Sequence, residues 1–287
     1  MLNTQRIEHC IASFRFTAIS GFTDLEKGLN DFDGGVIRRS DAGQETHQGA
    51  IGCQIVVAVD QHITNLCNNL YANPVIFVGG AVGSLDDAAT PEERAELEKC
   101  KPANDEPVTF FNWNTLHEVG HAVDDKHGFM DSNGKKKEYG GWTEHGMDIS
   151  GIADKIAKKF SYDTAYVTEY MAHNKSAHVP PRPEDEACTD EEWESRRVQM
   201  EAFVDMASEP AQPWSSMATA KKLAIGGVVY QESYPNAWNS YLLSERAKGI
   251  TGYQFRAPGE WFSELYAAYH SGKLKPNHPA VGWLSKL

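Results

Sequence analysis

Residues 115–128 contain the pattern His117-Glu118-x-x-His121, whose residue types and spacing are suited to holding a metal ion. On an α-helix, residues four apart lie on one face and ~6 Å apart along the axis. Both imidazoles can therefore share one Zn²⁺, with Zn–N distances of about 2.0–2.1 Å. Glu118 lies beside that face, where it can take a proton from water and deliver it to a leaving amine. The segment predicts a hydrolytic zinc site.

The residues around this pattern favour a helix. Asn114 or Thr115 is expected to cap its start, and Gly128 is expected to end it. An apolar stripe at helical spacing is formed by Leu116, Val119 and Val123. Gly120 costs ~1 kcal/mol in a helix interior relative to alanine, and a close backbone neighbour would explain its presence.

A catalytic zinc site needs a third protein ligand, and three segments offer one. His127 follows His121 at the spacing of H-E-x-x-H-x-x-G-x-x-H, but Asp124 occupies the glycine position that lets the chain turn sharply. A polar residue in the last helical turn is the alternative interpretation of His127. Glu144-His145 has suitable chemistry but no recognisable spacing, and a solvent-exposed pair is its simpler interpretation.

Glu260 is the third candidate, in a segment where Pro258-Gly259 opens an amphipathic helix that is expected to end near Gly272. Negative charge is favoured in the first turn, where Glu260 lies. Glu260 and Glu264 share one helix face, where two carboxylates repel by a few tenths of a kcal/mol. Placing one on the metal and the other on a ligand imidazole N–H would remove that conflict. A solvated pair of surface glutamates remains the competing interpretation.

Two blocks of the chain together resemble the anthrax lethal factor-like zinc metallopeptidases. The first is His117-Glu118-Val119-Gly120-His121-Ala122-Val123-Asp124-Asp125. The second runs from Tyr253 to His270 and contains Glu260-x-Phe262-x-Glu264. Two blocks in the same order are more specific than H-E-x-x-H alone, although they cover a small part of the chain.

The resemblance implies a gluzincin, in which His117, His121 and Glu260 hold one Zn²⁺ and Glu118 is the general base. It also implies that Tyr253 faces the substrate oxyanion and that Glu264 supports a ligand imidazole. Asp124 is the residue that the family also has at this position, which implies a supporting or structural role. Glu264 stands where thermolysin-like relatives carry aspartate, and the longer side chain should still reach an imidazole N–H.

Composition sets the class of protein. The chain has 287 residues, with 27 basic and 40 acidic side chains, and a formal net charge of −13. Its hydrophobic content of 41% excludes a disordered chain, and no apolar run approaches the ~18 residues that span a bilayer. The acidic balance argues against nucleic acid as a partner. The five scattered cysteines form no C-x-x-C pair, so free thiols are expected, with one disulfide in an oxidising compartment as the alternative.

The element pattern predicts an α+β, zincin-like fold in a single domain over residues 1–287. A small mixed sheet is expected before the active-site helix, within a strand-containing region at 1–107. Strands are predicted at 7–20, 53–60 and 74–80, with a short β-type run at Val108–Phe111. The zinc-binding region at 108–287 is expected to be mostly helical, with a helical insert at about 131–250. The helices are predicted at 90–100, 149–160, 189–207, 214–225, 236–247 and 258–270, and a surface loop at 173–189.

These features predict a zinc-dependent endopeptidase acting on a protein or peptide substrate. Three alternatives stay open: a hydrolase of bacterial cell-wall peptides with the same site, a metzincin-like peptidase using His127, and an inactive zincin-like binding module. The resemblance favours a toxin or effector, with a secretion-system carrier or an immunity protein as partner candidates. No signal peptide is recognised, so delivery by another route is expected, with the producer's cytoplasm as the alternative location.

Overall fold

The computed structural model describes residues 74–75, 83–172, 178–208 and 213–287. Asn73–Leu287 form one compact unit. The strands predicted at 7–20 and 53–60 lie outside the described residues. Both halves of the predicted zinc site lie within Asn73–Leu287.

The described residues have an α+β architecture, as predicted. The helices, in chain order, are α1 (Pro91–Cys100), α2 (Phe110–His127), α3 (Phe129–Asn133), α4 (Ser150–Phe160), α5 (Thr164–Met171), α6 (Asp190–Ala207), α7 (Met217–Leu223), α8 (Leu243–Arg246), α9 (Pro258–His270) and α10 (Val281–Leu284). The strands are β1 (Pro74–Val75), β2 (Val108–Thr109), β3 (Thr143–Gly146), β4 (Ala224–Ile225), β5 (Val228–Tyr234) and β6 (Ala237–Leu242).

The principal sheet is antiparallel, has the strand order β3-β6-β5-β4, and follows α2 in the sequence. The sequence predicted a mixed sheet before this helix. Among the described residues, only the two-residue pairing of β1 with β2 precedes it. The predicted insert at 131–250 is therefore partly β-structure, because all four strands of the principal sheet lie within it.

The helix predicted at 236–247 is wrong, because its first half is strand β6. Pro235-Asn236 forms the turn of a hairpin that pairs Tyr234 with Ala237, and Asn236 has a φ of 61°. Asparagine tolerates this left-handed conformation, and aromatic residues such as Trp238 and Tyr241 favour strands. Only the four-residue α8 follows.

The other helices predicted in the described region are present; α9 has the predicted bounds, and the ends of the others are shifted. Thr90 caps α1 as expected, its hydroxyl accepting from the Glu93 amide at 3.2 Å. Helix α2 begins earlier than predicted: Thr109 is its N-cap, and not Asn114 or Thr115. Gly128 ends α2 in the left-handed conformation, as expected. The segment predicted at 214–225 forms the shorter α7 followed by β4.

The hydrophobic core lies between the principal sheet and helices α4, α5, α6 and α9. Its fully buried side chains include Ile152, Ile156, Met200, Tyr241, Phe255 and Phe262. Helix α9 is central, since every residue from Glu260 to Ala268 is buried. Two carboxylates of the predicted site therefore lie inside the protein, which the interpretation as surface glutamates did not anticipate.

Two cysteines lie in the described part of the chain, and both are buried free thiols. Burial raises the pKa of Cys100 to about 11, so this thiol is protonated at neutral pH. The described helices include none with the length and apolar character needed to cross a membrane.

Candidate metal centre

Helices α2 and α9 pack so closely that their backbones nearly touch. A Cβ atom at Gly120 would lie 2.8 Å from the Ser263 Cα and 3.1 Å from the Tyr266 Cβ. Only glycine avoids this overlap, which explains the costly residue in the middle of α2. The contact places the imidazole face of α2 against the acidic face of α9.

Three predicted ligands meet across this contact, with one donor atom from each. The His117 Nε2 lies 2.9 Å from the Glu260 Oε2 and 3.1 Å from the His121 Nε2. The His121 Nε2 lies 3.2 Å from the same Glu260 oxygen. His117 and Glu260 are buried, and His121 is partly buried.

This triangle has dimensions close to one face of a zinc coordination tetrahedron. With zinc–ligand bonds of about 2.0–2.1 Å, neighbouring ligand atoms of a tetrahedron lie ~3.3 Å apart. Two imidazole nitrogens and one carboxylate oxygen also form a ligand set that Zn²⁺ uses in catalytic sites. The residues present therefore fit a zinc ion.

Glu264 supports His117 from the side remote from the triangle. Its Oε1 lies 2.8 Å from the His117 Nδ1 and accepts a hydrogen bond from the Trp113 indole N–H at 3.0 Å. The Thr251 hydroxyl donates to the other oxygen, Oε2. In its neutral form, which a metal at Nε2 would require, His117 donates its Nδ1–H to Glu264 and turns the Nε2 lone pair towards Glu260 and His121. Converging lone pairs of this kind favour a cation between them.

The charges of the site are strongly coupled. Burial acts to lower the pKa of His117, but hydrogen bonds with Glu260 and Glu264 outweigh it and raise that pKa to about 10. Burial acts to raise the pKa of Glu260, and hydrogen bonds with both histidines reverse the effect and hold it well below its usual range. The carboxylates thus stabilise positive charge at the triangle, whether it is carried by protons or by a metal.

Glu118 lies next to the ligands but is not one of them. Its side chain is partly buried, and burial raises its pKa, while the neighbouring histidines act in the opposite direction. Within the described part of the chain, no hydrogen bond holds its carboxylate. An ionised carboxylate with a raised pKa is a stronger base, as a general base requires.

Tyr253 lies in a single 3-10 turn, Tyr253–Phe255, just before α9. Its ring centroid is 5.7 Å from that of His117, and its hydroxyl donates a long hydrogen bond of 3.5 Å to the Glu260 Oε1. Burial raises the pKa of Tyr253 to about 12, so the phenol is a neutral donor at physiological pH. Trp214 packs edge-on against the Tyr253 ring at 5.2 Å.

The remaining predicted residues have different surroundings. The Asp124 Oδ1 accepts from the Met130 amide at 2.8 Å, so this carboxylate joins the end of α2 to α3. His127 is exposed in the last turn of α2 and lies outside the ligand triangle. His145 lies on strand β3, where its Nε2 is 2.9 Å from the Ser240 hydroxyl.

Several residues of the site were not anticipated from the sequence. Trp113 and Thr251 donate hydrogen bonds to Glu264, and Tyr234 donates one to Glu260. The Arg256 guanidinium lies 4.7 Å from the Tyr234 ring centroid and 5.7 Å from that of Trp214. The hairpin that carries Tyr234 falls in a segment interpreted partly as helix. Trp113 could have been found, because it lies one helical turn before His117 on α2.

Comparisons with protein-family models, characterised proteins and solved structures find no match to this chain.

Proposed function

We propose that this protein is a zinc-dependent endopeptidase, with His117, His121 and Glu260 as its metal ligands. The observation that carries the proposal is the triangle of donor atoms with sides of 2.9, 3.1 and 3.2 Å. Three protein ligands leave one coordination position for water or substrate, which distinguishes catalytic from structural zinc sites. Zinc in such a site is a Lewis acid that lowers the pKa of water and polarises a carbonyl.

Glu118 takes a proton from the attacking water and passes it to the leaving nitrogen. Its place beside the ligands, its partial burial and its raised pKa support this role. The Tyr253 hydroxyl donates a hydrogen bond to the developing oxyanion. A well-placed donor of this kind stabilises the transition state by ~3–4 kcal/mol. The neutral Tyr253 phenol next to His117 supports that role. The peptide as substrate is proposed from the resemblance of both blocks to a peptidase family.

The two other interpretations of the site are less well supported. A metzincin-like site needs His127 at the metal, whereas this residue is exposed and Glu260 lies within 3.2 Å of both histidines. An inactive binding module does not require a general base, so the presence of Glu118 argues against this interpretation. The site residues do not distinguish a protein substrate from a cell-wall peptide, so the test includes both.

The proposed activity is tested with zinc-loaded protein on a proteome-derived peptide library and on purified peptidoglycan. New termini are identified by mass spectrometry. We expect peptide cleavage that a chelator abolishes and zinc restores. Glu118→Ala is the matched control: it should keep about one zinc per chain and lose turnover by orders of magnitude. Release of cell-wall fragments without peptide cleavage would identify the cell wall as the substrate. Equal cleavage by wild type and Glu118→Ala would refute the assignment of the catalytic site.

The role as a toxin or effector is proposed from the resemblance alone. A protein target in another cell, a secretion-system carrier and an immunity protein belong to the same proposal. Co-purification of the tagged protein from its producing cell tests the carrier and immunity partners. Recovery of neither would leave an intracellular peptidase as the simpler role.

A further inference from the structure

The two oxygens of the Glu260 carboxylate have separate partners. Oε2 faces His117 and His121 at 2.9 and 3.2 Å. Oε1 accepts a hydrogen bond from the Tyr234 hydroxyl at 2.8 Å. The carboxylate is therefore fixed about its terminal torsion, with one oxygen in the ligand triangle and the other on a phenol.

Tyr234 lies on a hairpin that belongs to neither α2 nor α9. It is the last residue of β5, pairs with Ala237 across the hairpin, and lies next to an irregularity in the strand register. The Glu232 carboxylate accepts from the Asn236 amide at 2.8 Å and so fixes the turn. The Arg256 guanidinium lies over the Tyr234 ring, at 4.7 Å from its centroid. The hydroxyl thus reaches Glu260 from the hairpin and not from either site helix.

We propose that Tyr234 is a positioning residue of the metal centre, a role that rests on the proposed function. By occupying Oε1, its hydroxyl makes Glu260 a one-oxygen ligand and keeps Oε2 directed at the site. Groups that hydrogen-bond a metal ligand in this way commonly control metal affinity. The residue lies outside both blocks that resemble known peptidases.

The same hydrogen bond has a consequence for Tyr253. Its hydroxyl lies 3.5 Å from the same Oε1, a weak contact compared with the 2.8 Å bond of Tyr234. With Tyr234 satisfying this oxygen, Tyr253 remains available for the substrate. Without Tyr234, the Tyr253 hydroxyl becomes the nearest donor to Oε1 and is drawn away from the substrate.

The test compares Tyr234→Phe with wild type by chelator competition for zinc and by the absorption spectrum of cobalt-substituted protein. We expect zinc to bind roughly 10–100-fold more weakly. The cobalt spectrum should also change, because a released Glu260 can present both oxygens. Tyr230→Phe is the matched control, since Tyr230 is a buried tyrosine of the same strand and makes no hydrogen bond with Glu260 among the described residues. Tyr253→Phe should leave zinc affinity close to wild type.

The possible results distinguish the positioning role of Tyr234 from the proposed zinc-dependent function. If wild type binds no zinc, the proposed function fails and the inference fails with it. If wild type binds zinc and Tyr234→Phe binds it equally well with an unchanged cobalt spectrum, only the inference is overturned. If Tyr230→Phe lowers zinc affinity as much as Tyr234→Phe does, Tyr234 has a purely structural role and the inference is overturned. The same holds if the Tyr234→Phe apoprotein loses its near-ultraviolet circular dichroism. An altered cobalt spectrum in a folded variant supports the inference independently of affinity.

Discussion

Gly120 and Ser263 bring the two site helices together: a Cβ on Gly120 would lie 2.8 Å from the Ser263 Cα. The close approach sets the separation between the imidazoles of α2 and the carboxylates of α9. His117 lies three residues before Gly120, and Glu260 lies three residues before Ser263, about one turn along each helix. The geometry of the candidate metal centre thus depends on a residue that contributes no ligand atom to it.

Gly120→Ala should therefore destabilise the protein, although alanine is the better helix former by ~1 kcal/mol. Overpacking costs typically 1–3 kcal/mol, and the overlap here is with backbone, which cannot move aside easily. We expect a lower free energy of unfolding in urea and weaker zinc binding. Gly151→Ala is the control, because Gly151 lies in helix α4 and a Cβ at this position has no neighbouring atom within 4 Å. That substitution should stabilise by about 0.5–1 kcal/mol, and a stabilised Gly120→Ala would contradict the account.

The parts of the site that depend on helical spacing were predictable. His117 with His121 and Glu260 with Glu264 are pairs four residues apart, and this spacing alone places each pair on one face. The sequence did not decide whether the glutamates faced solvent or the interior, since that depends on what α9 packs against. Thr251 and Tyr234 reach the site across the fold, and no local pattern links them to it.

The fold was predicted less well where strands replace helices. The segment from Ala237 to Leu242 was interpreted as helix, but pairing with β5 buries its middle residues and stabilises it as a strand. Strand pairing is a non-local interaction, so it overrides weak local propensity. Helix α9 was predicted because Pro258 and a continuous periodic pattern mark it locally.

Tyr253→Phe is expected to fold and bind zinc normally while kcat/KM falls at least tenfold, because only an oxyanion donor is lost. The ring remains, so its packing against Trp214 at 5.2 Å is retained. Steady-state kinetics on a cleaved peptide, with zinc content measured on the same samples, check this. Unchanged kinetics would show that Tyr253 does not face the reacting carbonyl.

His278 should make the protein less stable in mild acid. Burial lowers its pKa from 6.5 to about 4, and its Nδ1 accepts from the Ala280 amide at 3.1 Å in the neutral form. Its stabilising contribution is complete above pH 6.5 and is lost as the pH falls towards 4, because the unfolded state then binds the proton more readily. The loss amounts to about 3 kcal/mol at most.

His278→Asn keeps a hydrogen-bond acceptor and removes the titration, so it provides the comparison. The difference in free energy of unfolding between wild type and this variant should change between pH 6.5 and 4, with wild type losing more. Parallel pH profiles for the two proteins would show that His278 is not held in its neutral form.

The most direct test of the metal centre is the zinc content of Glu260→Ala and His127→Ala, measured by mass spectrometry of the metal after exhaustive buffer exchange. Both residue types can bind zinc, and a three-ligand site that leaves one position open has room for one of them. Glu260 lies in the triangle with His117 and His121, whereas His127 is exposed. We predict that Glu260→Ala loses most of its zinc and that His127→Ala retains about one zinc per chain. Zinc retained by Glu260→Ala and lost from His127→Ala would contradict the assignment and favour a metzincin-like site.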